Sequence, residues 1–156
     1  MNKNKKNKNG FTLIEIMIVI AIGVILATIV TFSFFAMKER GNINKNISQA
    51  KVLLEQAKVQ SVSGLNDTNY GVHVQFDKLV LFSGSTYFAS STDNVPLIFE
   101  NNLFFATSSF AGGDGSNVVF KKITGATDNY GSLTIKTSNS STSAVIYISP
   151  AGAIIQ

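Results

Sequence analysis

The chain has 156 residues, a length suited to one domain with its own core. Its pI of about 9.4 has a local origin: Lys3, Lys5, Lys6 and Lys8 all fall before Gly10, and the nine basic residues that follow balance nine acidic ones. No basic patch survives beyond Gly10 to neutralise phosphates, which disfavours nucleic acid as a partner. The absence of cysteine excludes disulfides and thiolate chemistry, and a single histidine, His73, leaves no His/Cys cluster for a metal.

Residues 1–10 are polar and rich in Asn and Lys, whereas 11–37 are almost wholly apolar with Glu15 as the one charge. At about 1.5 Å per residue such a helix is roughly 40 Å long, enough to cross a hydrocarbon core of about 30 Å. Lysines before it and none inside it predict a single pass through the cytoplasmic membrane, N-terminus in the cytoplasm. A cleaved secretory signal fits poorly, because its apolar region is only about 7–15 residues. A plain anchor explains length and orientation but leaves Glu15 unexplained. A carboxylate at mid-bilayer costs about 2.5–3.5 kcal/mol on insertion scales, less near the interface. An intramembrane charge of this kind calls for a named partner.

The run Gly10-Phe11-Thr12-Leu13-Ile14-Glu15 follows a short lysine-rich leader and opens a long apolar helix. It resembles the prepilin signal of type IV pilins, type II secretion pseudopilins and competence pseudopilins. The resemblance implies cleavage after Gly10 by a membrane aspartyl prepilin peptidase, with Phe11 becoming the new, N-methylated terminus. It also implies that Glu15 pairs with the free amine of Phe11 on a neighbouring subunit. A buried carboxylate becomes tolerable when a cation and hydrogen bonds meet it, and the pair would fix the axial register between stems.

The segment Lys38-Glu39-Arg40-Gly41-Asn42 reads as the water-exposed end of the span. Beyond it Ile43, Ile47, Ala50, Leu54 and Ala57 recur at spacings of four and three, the apolar face of an amphipathic helix that runs to about Val62 and stops at Gly64. Lys51, Glu55 and Lys58 take the remaining surface. One nearly continuous helix over 12–62 is expected, with Gly41 its weakest point; two helices broken at Gly41-Asn42 are the alternative.

From Tyr70 the period changes to two: Val72, Val74 and Phe76 alternate with His73 and Gln75, which puts His73 on a polar, solvent-facing side. Further strands are predicted over 79–82, 97–99, 103–105, 118–121, 133–136, 144–148 and 153–155, separated by Ser/Thr/Gly/Asn spacers at 83–86, 107–117 and 137–143. The expected fold class is α+β: a long N-terminal helix, a transmembrane stem plus an amphipathic half, packed on a C-terminal antiparallel sheet in the manner of pilins. The divisions are a 1–10 leader, an 11–37 stem, a 38–64 amphipathic half and a 65–156 head.

Tyr70-Gly71-Val72, the Phe120…Gly125 pair and the closing Ile148-Ser149-Pro150-Ala151-Gly152 turn resemble the minor branch, the H component of type II secretion and related minor pilins. Other motifs carry less. Gly112-Gly113-Asp114-Gly115 offers one carboxylate where calcium wants six to eight oxygens. Asn46-Ile47-Ser48, Asn66-Asp67-Thr68 and Asn139-Ser140-Ser141 match the N-glycosylation pattern, as an Asn/Ser-rich composition produces by itself. No nucleophile has an identifiable base, and no phosphate loop with lysine is present.

The sequence therefore predicts a structural protein, without cofactor or metal and not an enzyme. It would be a minor subunit of a type IV pilus-like or secretion pseudopilus filament that leaves the membrane for an extracytoplasmic polymer. Its partners would be the prepilin peptidase, other subunits and the membrane. The alternatives are a DNA-uptake minor pilin, with Lys121-Lys122 the only basic pair of the head, and a membrane-anchored β-rich binding module.

Overall fold

The computed structural model describes residues 10–99, 103–112, 115–138 and 143–156. Two compact units emerge, Met1–Glu39 and Arg40–Gln156. Helix α1, Leu13–Val62, contributes to both, and its backbone stays helical at Gly41 and Asn42, so the break does not occur.

In the first unit the helix over 16–31 is apolar on every side. Its stretch Leu13–Thr31 has a mean hydropathy of 2.9 and none of it is buried, so length and composition suffice to cross a membrane. The hydroxyls within it are satisfied locally. Thr28 Oγ1 donates to the Ile25 carbonyl and Thr31 Oγ1 to that of Ala27, each at 2.7 Å. Such back-bonding removes the cost of a bare hydroxyl in lipid.

In the second unit the predicted apolar face is closed off: Ile43, Ile47, Ala50, Leu54 and Ala57 are all buried. Leu53, Asn46 and Ser61 join them, which the 4-3-4-3 spacing alone does not reveal. Asn46 is accommodated by donating to the Asn42 carbonyl at 2.8 Å. Gly64 ends the helix in the left-handed conformation at φ 66°, where a side chain would be strained. A short 3-10 turn, Leu65–Asp67, leads into the strands.

Eight strands follow: β1 Tyr70–Val74, β2 Lys78–Ser83, β3 Val95–Ile98, β4 Leu103–Phe110, β5 Asn117–Phe120, β6 Gly131–Thr137, β7 Ser143–Ile148 and β8 Ile154–Ile155. All pairings are antiparallel. They form two four-stranded sheets, ordered β3-β2-β1-β5 and β4-β6-β7-β8, where the sequence led us to expect one. The chain changes sheet three times, since β4 belongs to the second sheet and β5 returns to the first. One apolar cluster takes residues from the helix and both sheets, among them Leu54, Val72, Leu79, Phe120, Leu133 and Ile146. Burying such a side chain is worth about 1.5–3 kcal/mol, so this shared cluster is what holds the head together.

Three local expectations need correction. Phe76 is not a strand residue: Gln75 N–H donates to the Lys78 carbonyl at 2.9 Å, closing the β1–β2 turn with Phe76 inside it. Phe76 is 69% exposed and stacks on Phe104 instead. The strand at 103–105 continues to Phe110, past a bulge between Phe105 and Thr107 that alternation could not register. His73 does not face open solvent. It is half-buried, stacks on Tyr87 at 3.9 Å and donates from Nδ1 to Asn117 Oδ1 at 2.8 Å.

The glycines of the head motifs meet each other. A Cβ on Gly152, whose φ is 73°, would collide with the carbonyl of Gly125. Thr127 N–H donates to the Pro150 carbonyl at 2.9 Å beside them. This joins the loop leaving the first sheet to the β7–β8 turn of the second.

Candidate functional site

The helix start is built by Thr12. Its carbonyl accepts from Ile16 N–H and its Oγ1 from Glu15 N–H, both at 3.3 Å. A side-chain oxygen that satisfies an orphan amide of the first turn is an N-cap, and Thr-x-x-Glu is the capping-box spacing. That spacing was available in the sequence and would have found the cap. The cap places Glu15 in the first turn, where the helix dipole favours a negative charge by about 0.3–1 kcal/mol.

Gly10 and Phe11 lie just ahead of this cap, and both are exposed, Phe11 at 80%. A Cβ on Gly10 would meet nothing within 4 Å, so the fold does not require glycine there. Glu15 is also exposed, and among the described residues no cation lies within ion-pair distance of it. The three residues that the prepilin resemblance singles out thus sit together at one helix end. Among the described residues the one side-chain hydrogen bond at these positions is that of the cap. The lysines of the leader lie outside the described residues.

Elsewhere the candidates are absorbed by structure. Lys121 pairs with Asp128 at 2.8 Å and Lys122 with Asp67, so the basic pair of the head is neutralised locally. The Lys122 ammonium, which donates to Asp67 Oδ1, holds that carboxyl below the usual carboxylate range, its charge adding to the bond. Among the described residues no group of His, Asp and Glu could hold a metal ion. Asn46 is buried, which argues against its use as a sugar acceptor, whereas Asn66 is exposed. Asp114 and Asn139 lie outside the described residues.

No curated protein and no solved structure matches the chain. Residues 5–31 match the model of a family described as the prokaryotic N-terminal methylation motif. The match begins at Lys5, passes through Gly10, Phe11 and Glu15, and ends where the apolar span Leu13–Thr31 ends. A methylation motif laid over a membrane-length helix supports a type IV pilin-like protein, and such a motif implies processing by a prepilin peptidase and assembly with other pilins.

Proposed function

We propose that this chain is a structural subunit of a type IV pilus-like or type II secretion pseudopilus filament rather than an enzyme. A prepilin peptidase cuts between Gly10 and Phe11, Phe11 is N-methylated, and Glu15 pairs with the Phe11 amine of a neighbouring subunit. The subunit waits in the cytoplasmic membrane with its head outside, then enters the polymer through its stem. The observation that carries this reading is the methylation motif over 5–31, laid over an apolar helical stretch, Leu13–Thr31, none of which is buried. The freedom around Gly10 adds to it: where the fold places no demand on a glycine, a demand from a peptidase active site gives it a purpose. The DNA-uptake alternative has little to stand on, since Lys121 and Lys122 are both engaged by carboxylates. A minor rather than abundant role rests on the head motifs and is read separately, as copies per filament.

Intact-mass measurement of the protein recovered from its cells tests the reading. The expected product begins at Phe11 and carries one added methyl group. A product that retains residues 1–10 would overturn it and leave the membrane-anchored β-rich module.

A further inference from the structure

The turn after β5 contains an anomaly. Ile123 is β-branched, yet its φ is 70°, a region such residues adopt only under constraint. Thr124 N–H donates to the Lys122 carbonyl at 2.8 Å, closing a γ-turn of the rare, strained kind with Ile123 at its apex. The surroundings hold the turn firmly. Ile123 N–H donates to the Ser61 carbonyl at 3.0 Å, and Lys122 N–H donates to Asn69 Oδ1 at 2.8 Å. The ion pair of Lys122 with Asp67 adds a third tie. Nothing in the chain offsets the strain by burial, because Ile123 is 71% exposed. Strain that is over-determined by its surroundings and buries nothing points to a contact outside the chain.

A matching groove lies at the other edge of the same sheet. It has a volume of about 300 Å³ and is lined by Ser48, Gln49, Val52, Leu53, Gln56 and Leu97, with no charged residue among them. Leu97 belongs to β3, and the strained turn follows β5; these are the two edge strands of the β3-β2-β1-β5 sheet. The turn is tethered to the helix at Ser61, while the groove centres on Val52. At about 1.5 Å per residue the two are offset by roughly 13 Å along the helix.

We propose that Ile123 of one copy seats in the Val52–Leu53–Leu97 groove of a second copy. This rests on the filament reading above and names the head contact within it. The groove lining is uncharged, and the two lysines that precede the isoleucine are paired with Asp128 and Asp67, so neither contact residue brings an unpaired charge of its own. The projecting residue and its groove occupy different edges, so the contact is heterologous and repeats without closing. Their axial offset displaces each copy along the helix direction relative to the next.

The absence of cysteine gives a clean background for cross-linking. Full-length chain carrying Ile123→Cys with Gln56→Cys is expressed where filaments form, oxidised, and run without reductant. A ladder of covalent multimers is expected from the double variant, and none from either single variant or from Ile123→Cys with Thr107→Cys on β4. Multimers no more abundant than in the single variants would overturn the proposal, as would a dimer from Ile123→Cys alone, which would set the isoleucines against each other. A second variant, Ile123→Gly, separates contact from fold. Relief of the turn should leave the unfolding midpoint unchanged or raised while filament yield falls several-fold; a lowered midpoint with unchanged yield overturns the contact. Wild-type filaments without a ladder sink this contact alone. A wild-type chain that keeps its leader and forms no filaments removes the reading beneath it and takes the contact with it.

Discussion

Over Leu13–Thr31 no part of α1 is buried, whereas over 43–57 one face of that helix is closed off by β-strands. Both stretches are rich in aliphatic side chains, but only the second finds its partner within the chain. The first is apolar all round and satisfies its own hydroxyls, which suits it to lipid or, on the proposed reading, to other subunits. Between subunits in lipid the hydrophobic drive is absent, and packing with polar pairing must take over. That gives the one charge of the stem, Glu15, an importance that no single charge of the head has. Changes in the stem should therefore alter processing or assembly and leave head folding untouched, and changes in the head core should do the reverse.

The largest effect expected is at Gly10. Gly10→Leu should abolish leader removal and with it all filaments, while the unfolding midpoint of the head stays where it was. Among the described residues nothing lies within 4 Å of a Cβ placed there, so a shifted midpoint would break the separation. An immunoblot for the shortened product reads the first outcome and thermal unfolding reads the second. Glu15→Ala should come next: leader removal continues, and polymer yield drops at least tenfold. Normal incorporation of that variant into filaments would show that Glu15 is a first-turn acid suited to the helix dipole and no more.

Leu54→Ala attacks the other side of the comparison. Leu54 is 1% exposed within the cluster shared by helix and sheets, and its truncation should cost the head about 2–5 kcal/mol. Denaturant unfolding measures the loss, and leader removal should proceed as in the wild type because the proposed cut, between Gly10 and Phe11, involves no residue of the head core.

What could be read beforehand follows the same division. The methylation motif over 5–31 was legible because its signal is local: spacing, hydropathy and one charge lie within the six residues Gly10 to Glu15. The helix was legible to within a residue at each end, because 4-3-4-3 spacing and Gly64 are also local. The partition of the strands into two sheets was not. Each strand is short, and nothing in the alternation of residues 103–110 says that they pair with β6 rather than β3. Phe76 looked like strand because alternation continues through it; the turn that takes it in is set by the Gln75–Lys78 backbone bond. Gly125 and Gly152 stood out as residues, but their collision course is a property of the fold. Ile123 gave no signal at all, since a strained isoleucine looks like any other.

The smallest effect concerns the ion pair that braces the strained turn. The Lys122 ammonium donates to Asp67 Oδ1 and keeps that carboxyl below its ordinary range. A carboxylate whose folded pKa is depressed adds stability that is present above its unfolded pKa of about 3.8 and is lost as pH falls through the lower folded value. Asp67 is fully exposed, so the contribution is small and salt should screen it further. Lys122→Met should raise the Asp67 titration midpoint toward the ordinary value and remove this component of acid sensitivity, with no change in leader removal. Carboxyl resonances followed by NMR across the acid range read the midpoint directly. Identical midpoints in wild type and variant would mean that the pair does not form in water. The turn at Ile123 would then hang on the Ser61 and Asn69 bonds alone, and Asn69→Ala, which removes the side-chain acceptor, should loosen it.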